Sequence, residues 1–592
     1  MLKDINPGAY GSSPYNLTDV NGILFFQAND GTHGSELWKS DGTPDGTVMV
    51  KDIWSGAGSS YPYNLTDVNG TLFFNANDGT HGIELWKSDG TADGTVMVKD
   101  INPGAGNSDP NLLTNVNGTL FFNANDGTHG IELWKSDGTY DGTVMVKDVY
   151  QGVDSSYLNY LTNVNGTLFF RAYDGANGVE LWKSDGTAAG TVMVKDINPG
   201  VYGSNPLCLT NVNGTLFFNA WDDTNGAELW KSDGTAAGTV MVKDIQPGAG
   251  SSGPYNLANV NGTLFFAAND GTNGVELWKS DGTAAGTVMV KDIRPGAYGS
   301  NPSNLTNVNG TLFFQAYDIN NGYELWKSDG TAAGTVMVKD IWPGLSDSYP
   351  NYLANVNGTL FLQANDGTNG VELWKSDGTA AGTVMVMDIQ PGAGSSNPLY
   401  LTNVNGMLFF AANDGTNGAE LWMDVSNDDC QDATQIYLGQ TYYGSNYGAT
   451  GYTYDDSNST CGYNDYADVW YYYQPKVGGR YTISVSSDEF DTTLNVFNAC
   501  SEWQPLACND DYSLQTTDSQ VVLDMVKGKH YYIRVAGFDG QMGSFKLTIT
   551  AGSCTGYSVG DLNGDCKVDM QDFAIMASEW LTCNKTPPEQ CW

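Results

Sequence analysis

Apolar residues run along this chain in short bursts, each cut off by a turn. Between Leu65 and Ile101, LTDV reads as a short strand. Asn69-Gly70 follows as a two-residue hairpin turn, because both residues tolerate positive φ. TLFFNAN then carries Leu72, Phe73 and Phe74 in succession, apolar toward both faces of a sheet. Asp78-Gly79-Thr80-His81-Gly82 turns the chain and IELWKS forms a third strand. DGTADG turns it again, TVMVKDI forms a fourth strand, and the loop NPGAGNSDPN leads into the next copy. The third-strand segment starts at Glu36, Glu84, Glu132, Glu180, Glu228, Glu276, Glu324, Glu372 and Glu420, a constant step of 48 residues.

Four short antiparallel strands in each such period are the signature of a β-propeller blade. A unit that is apolar on both faces cannot bury itself, whereas blades stacked around an axis bury both faces of each. A β-solenoid would need shorter rungs with fewer hairpin turns. MLKDINPG has no apolar core of a signal peptide. Met1 aligns with Met49, so the chain opens inside a unit, with LKDI as a fourth strand, and the last copy, ELWMDV, stops before its own. We therefore expect an all-β chain whose residues 1–425 form a propeller of about nine four-stranded blades. Residues 2–5 are expected to pair with 419–423 and complete the last blade. The ELWxSDGTxxGT segment resembles a propeller-type repeat of secreted bacterial proteins.

Within each unit the third-strand tryptophan (Trp38, Trp86, Trp134 and their equivalents) is expected in the core between blades. Glu36 and Lys51 are expected to face each other if Ser40 pairs with Thr47 across the turn. SDGTxxGT reads as a turn that needs glycine and an Asp side chain bonding the backbone. Turns such as NDGTNG offer Asp270 and its equivalents to Ca²⁺, although one carboxylate is few for a cation that takes six to eight oxygens.

Variation concentrates in the loops between units, such as IWSGAGSSYPYN, VYQGVDSSYLNY, INPGVYGSNPLC, IRPGAYGSNPSN and IWPGLSDSYPNY. Tyr, Trp, Ser, Gly and Asn on a rigid scaffold make adaptable binding surfaces, with aromatics for area and small polar groups for hydrogen bonds. The candidate ligand-binding residues are Trp54, Tyr61, Tyr150, Tyr157, Tyr202, Tyr298, Trp342 and Tyr349, ringing one side of the disc.

After residue 425 the repeat stops. Alternating runs such as YTISVS, TLNVF, QVVLDMV, YYIRVAG and FKLTIT predict a β-sandwich over 426–552. DVWYYYQP, FDTTLNVFNAC, LACNDDY and YYIRVAGFDG are similar to the bacterial pre-peptidase C-terminal type of domain. That resemblance implies a secreted accessory sandwich, with Asp491, Asp510 and Asp511 as candidate Ca²⁺ ligands. Residues 1–425 hold one cysteine, Cys208, and the rest of the chain holds eight, which points to disulfides and an oxidising compartment. Cys500–Cys508 and Cys430–Cys461 are the expected pairs.

The tail, 553–592, contains DLNGDCKVDMQD, with oxygen-bearing side chains at EF-hand spacing. It resembles one half of a type I dockerin. The resemblance implies Ca²⁺ ligands at Asp561, Asn563, Asp565, Asp569 and Asp572, and the Lys567 carbonyl. A helix carrying Phe573, Met576, Ala577, Trp580 and Leu581 on one stripe is expected to follow. Cys566 stands where such loops have glycine, and the second half is missing, which weakens a cohesin-like pairing more than Ca²⁺ binding.

The net charge is -41, and no basic patch offsets it, which excludes a nucleic-acid partner. No apolar run is long enough to span a membrane. Three of the four histidines, His33, His81 and His129, occupy one repeat position, and no nucleophile elbow, zinc motif or phosphate loop is present. The expected function is a secreted, non-catalytic, multivalent adhesion protein that binds a glycan or cell-surface polymer. Two alternatives are a self-assembling subunit of an extracellular fibre or surface layer, and a hydrolase with its site in the propeller channel.

Overall fold

The computed structural model describes residues 1–424 and, C-terminal to them, 430, 433–446, 449, 468–487, 490–500, 504–510, 517–538 and 541–551. All secondary-structure elements named among them are strands. The second unit shows the pattern: Tyr63–Val68, Thr71–Asn77, Ile83–Ser88 and Val96–Lys99 form an antiparallel sheet in chain order. Eight units build such a four-stranded sheet, and the ninth has three strands, Leu399–Val404, Met407–Asn413 and Ala419–Asp424.

The phenylalanine doublet explains why no unit stands alone. Adjacent strand residues point to opposite faces. Phe218 therefore joins a core with Val164, Phe169 and Leu181 of the preceding unit, while Phe217 joins Leu264, Phe266 and Trp278 of the following one. Each core thus lies between two sheets, and each third-strand tryptophan from Trp38 to Trp374 is buried in one.

The first strand of every unit lies beside the first strands of its neighbours, and Leu399–Val404 of the ninth unit lies beside Tyr15–Val20 of the first. The N-terminus takes part in this junction. Leu2 donates its N–H to the Leu421 carbonyl at 2.9 Å, and Lys3 bridges Leu421 antiparallel. Leu2 and Ile5 enter the core formed by Val404, Phe409, Leu24, Phe26 and Trp38. They stand where Val242 and Ile245 stand between the fifth and sixth units. Lys3 Nζ donates to the Thr47 carbonyl at 2.7 Å, the bond that Lys51 makes to Thr95 and Lys99 to Thr143.

The turns follow the sequence reading. Asp41 Oδ1 accepts from the Thr43 N–H and hydroxyl, and Ser40 Oγ and Thr47 Oγ1 are 2.8 Å apart. The expected Glu36–Lys51 pair does not form. A β-bulge between Leu37 and Trp38 places Lys51 opposite Leu37, and Glu36 is fully buried.

The C-terminal part forms two sheets. One orders Thr434–Gln435, Asp468–Tyr473, Tyr531–Gly537, Thr492–Phe497 and Ala507–Asn509. The other orders Thr441–Ser445, Ser544–Ala551, Gly479–Ser486 and Ser519–Met525. Ile483, Val485, Leu494, Val496, Ile533, Val535, Leu547 and Ile549 share one core between them. Arg534 and Asp468 form a buried ion pair. The disulfide pairing differs from expectation. Cys430 bonds Cys500, across 70 residues, and Cys508 is disulfide-bonded too. Spacing in sequence does not set connectivity, because folding brings distant cysteines together. The candidate tail ligands Asp561, Asn563, Asp565, Lys567, Asp569 and Asp572, the helix after them, and Asp511 lie outside the described residues.

Candidate functional site

The loops between units are held by the repeated glutamate. In the fifth unit Glu228 is fully buried and reaches both ends of the loop that leaves its own sheet. Its Oε2 accepts from the Ile245 N–H at 2.9 Å and the Ser252 hydroxyl at 2.6 Å. Its Oε1 accepts from the Ser252 N–H at 2.9 Å and the Gln246 N–H at 3.4 Å. Glu36 does the same for Ile53 and Ser60, and Glu420 for Ile5 and Ser12. Burial outweighs these donors and raises all nine carboxyls. It brings Glu84, Glu132, Glu180, Glu276 and Glu324 to about 7 and also raises Glu36, Glu228, Glu372 and Glu420.

Each loop lies between two turns. In the loop 52–62, the Tyr61 N–H donates to the Ser35 carbonyl, and the Ser60 carbonyl accepts from Asn77 of the next unit. Loops and turns therefore alternate along one rim, and across the junction Ser13 donates to Ala419 while Ser12 accepts from Asn29.

The turns themselves are self-satisfied. Asp270 accepts from the Thr272 and Asn273 N–H groups and from Asn273 Nδ2 at 2.7 Å. Its carboxylate is occupied by its own turn, so the geometry does not favour a cation there. His81 takes the same place against Asp78, with Nδ1 2.7 Å from Oδ2. The three histidines close turns as asparagine does in later units.

Several expected ligand-binding residues come together on this rim. Tyr150 packs edge-on against Tyr173 at 5.1 Å, and Tyr157 lies 6.3 Å from the same ring. A longer run joins Tyr298 to Tyr349. The Arg294 guanidinium sits 5.1 Å from the Tyr298 ring and 4.5 Å from Tyr317. Tyr317 packs edge-on against Tyr323 at 5.1 Å, and Tyr323 stacks on Tyr349 at 5.7 Å. Among the described residues Trp54, Tyr61, Tyr202 and Trp342 share no ring contact. Trp54 lies against Gly79 and Trp342 against Gly367, glycines of the next unit's turn. Tyr202 is 80 % exposed.

Tyr61, Tyr157 and Tyr349 adopt φ of 48, 51 and 46°, where other units place Ser13, Asp109, Asn205, Gly253, Asn301 and Asn397. A left-handed tyrosine costs about 1–2 kcal/mol relative to glycine. These rings remain 55–67 % exposed, so burial does not offset that strain. The Asp347 carboxylate accepts a hydrogen bond from the Tyr349 hydroxyl and raises its pKa, and the charge of Asp154 raises Tyr150.

Sequence reasoning missed Tyr10, Tyr173, Arg294, Tyr317 and Tyr323. Tyr10 occupies the loop position of Tyr202 and Tyr298 and is 93 % exposed. Tyr173 and Tyr317 stand where most units have asparagine at the end of the second strand, a departure from the repeat that could have flagged them.

A family model described as Galactose binding domain-like, and named as T9SS-associated, matches residues 426–549. The pre-peptidase C-terminal domain of a collagenase from Bacillus anthracis is similar at 17% identity, covering 20% of this chain and 93% of that one, with a TM-score of 0.15. Prolyl oligopeptidase B from Galerina marginata aligns at 10% identity over 61% of this chain and 56% of its own, with a TM-score of 0.34. A puromycin hydrolase aligns at 15% identity over 61% of each chain, with a TM-score of 0.30. The chain thus spans under two thirds of the length of these two hydrolases, and the likeness assigns it no chemistry. No curated protein matches the chain.

Proposed function

We propose that this is a secreted, non-catalytic glycan- or cell-surface-binding protein whose nine units are the blades of a closed propeller over residues 1–425. The observation that carries the reading is the assembly of tyrosines on the loop rim, above all the half-buried Tyr317 and Tyr323 beside the exposed Tyr349. Aromatic faces stack on sugar rings, and the neighbouring Ser and Asn groups bond hydroxyls. The galactose-binding-like match over 426–549 supports a second carbohydrate-binding module, and its T9SS association and the Cys430–Cys500 disulfide support export. No helix among the described residues is long and apolar enough to cross a membrane. The tail, 553–592, adds a Ca²⁺ loop, which its ligand spacing supports.

Single sites of this kind are shallow. Several engaged together raise avidity by roughly 10² to 10⁴ when geometry allows. Affinity electrophoresis of the full chain through gels containing different polysaccharides tests the reading. Retardation by at least one polysaccharide is expected. The double variant Tyr317→Ala/Tyr323→Ala is expected to weaken it at least about tenfold, the scale of a hot spot. Retardation by none of a broad panel, or an unchanged double variant, would remove the rim from the function.

A further inference from the structure

We propose that Arg294 makes the rim around the sixth and seventh units a subsite for the carboxylate of an acidic sugar. The proposal rests on the glycan-binding reading above and specifies it. The guanidinium lies between the rings of Tyr298 and Tyr317. A planar guanidinium held over aromatic rings does not use its N–H groups in that contact, and their fork matches the two oxygens of a carboxylate.

Three observations separate this arginine from a merely structural one. First, no carboxylate lies within ion-pair distance of it among the described residues. The chain carries 67 acidic against 26 basic residues, so an arginine whose only role was stability had many partners to choose from. Second, its side chain makes no hydrogen bond among the described residues. Asn6 and Asn102 at the equivalent position use their amides to close their own loops, donating to the carbonyls of Gly11 and Asn107. The lysines that line the units are also committed: Lys243 and Lys291 donate to the Thr287 and Thr335 carbonyls. Third, the equivalent positions hold Asn6, Trp54, Asn102, Tyr150, Asn198, Gln246, Trp342 and Gln390. All are uncharged, so the loop itself does not require a cation.

The rings beside Arg294 complete the subsite. Tyr323 and Tyr349 continue from Tyr317 as an aromatic surface. A pyranose stacked there would bring its C6 carboxylate toward the guanidinium. The chemistry fits a uronic-acid polymer better than a neutral one. A phosphate or sulfate would suit a point charge as well as it suits a flat fork.

The test compares binding of the full chain to polygalacturonate, its fully methyl-esterified form, dextran and dextran sulfate, all with EDTA to remove Ca²⁺ bridging. In about 0.15 M salt, which screens the long-range repulsion between the polymer and a chain of net charge -41 but leaves a contact guanidinium–carboxylate pair, the wild type is expected to bind polygalacturonate at least about tenfold more tightly than the ester. Arg294→Gln is expected to abolish that preference while binding to the ester persists. Arg294→Lys is expected to restore only part of it. A wild type that binds the ester or dextran as tightly as polygalacturonate overturns the inference and leaves the glycan reading standing. So does a preference retained by Arg294→Gln, or a preference for dextran sulfate over polygalacturonate. Binding to none of the four polymers overturns this inference, and the broad panel above then decides the glycan reading itself.

Discussion

Glu228→Ala is expected to destabilise the repeat region by about 3–5 kcal/mol, among the largest effects of any single substitution here. Glu228 is a hydrogen-bonded side chain with no exposure to water. Its removal strands the N–H groups of Ile245 and Ser252 and the Ser252 hydroxyl inside the loop junction. Each buried donor left without an acceptor costs about 1–3 kcal/mol, and the loop relaxes only enough to recover part of this. In a stack of like units each contact is made with a neighbour, so the loss falls on one junction. Calorimetric melting of Glu228→Ala beside the wild type measures it. A loss below about 1 kcal/mol would mean that the glutamate does not hold the loop.

The second large effect is a stability that rises on mild acidification. All nine glutamates have raised pKa values in the folded chain, five of them brought to about 7 by burial. An acid whose folded pKa exceeds its unfolded value of about 4.3–4.5 holds its proton longer when folded. Its contribution is full below the unfolded pKa and is lost as pH climbs through 7. The hydrogen bonds tolerate the proton. Ser108 Oγ lies 2.7 Å from Glu84 Oε2 and 3.2 Å from the Ile83 carbonyl, so it can accept from the acid and donate onward. His33, His81 and His129 act in the same sense, since their aspartate partners raise them above 6.5. Turn aspartates such as Asp270 and Asp126 are lowered, and their stabilisation is lost only in stronger acid, below about pH 4. The melting temperature should therefore rise by several degrees from pH 8 to pH 5. Repeating the scan in 0.5 M salt separates this from relief of the -41 net charge, which salt screens. A flat or falling profile in high salt would count against carboxyls kept protonated by burial.

Much of this architecture is legible in sequence because the signals are local. Apolar doublets bounded by glycine turns place the second strand at Thr71–Asn77 and the third at Ile83–Ser88, as read. The N-terminal junction is legible too, since Leu2 and Ile5 stand in register with the fourth strands of other units. What escapes the sequence depends on geometry between distant residues. A β-bulge turns Glu36 inward and away from Lys51, and no residue pattern announces that shift. Tyr317 and Tyr323 sit at strand ends, six residues apart, and meet only because the two strands pair them directly. Arg294 reads as one more loop variation until Tyr298 and Tyr317 close on either side of it. The Cys430–Cys500 pairing, across 70 residues, likewise does not follow from spacing.

Hydrogen–deuterium exchange of the full chain, with and without a polysaccharide that retards it, tests most directly whether the loop rim is the binding surface. Slowed exchange is expected at 292–302, 317–323 and 340–350, around Arg294, Tyr323 and Tyr349, with the opposite turns near Gly282 and Gly330 unchanged. Protection confined to 426–549, with the rim loops exchanging as before, would contradict it and assign glycan binding to the C-terminal domain alone.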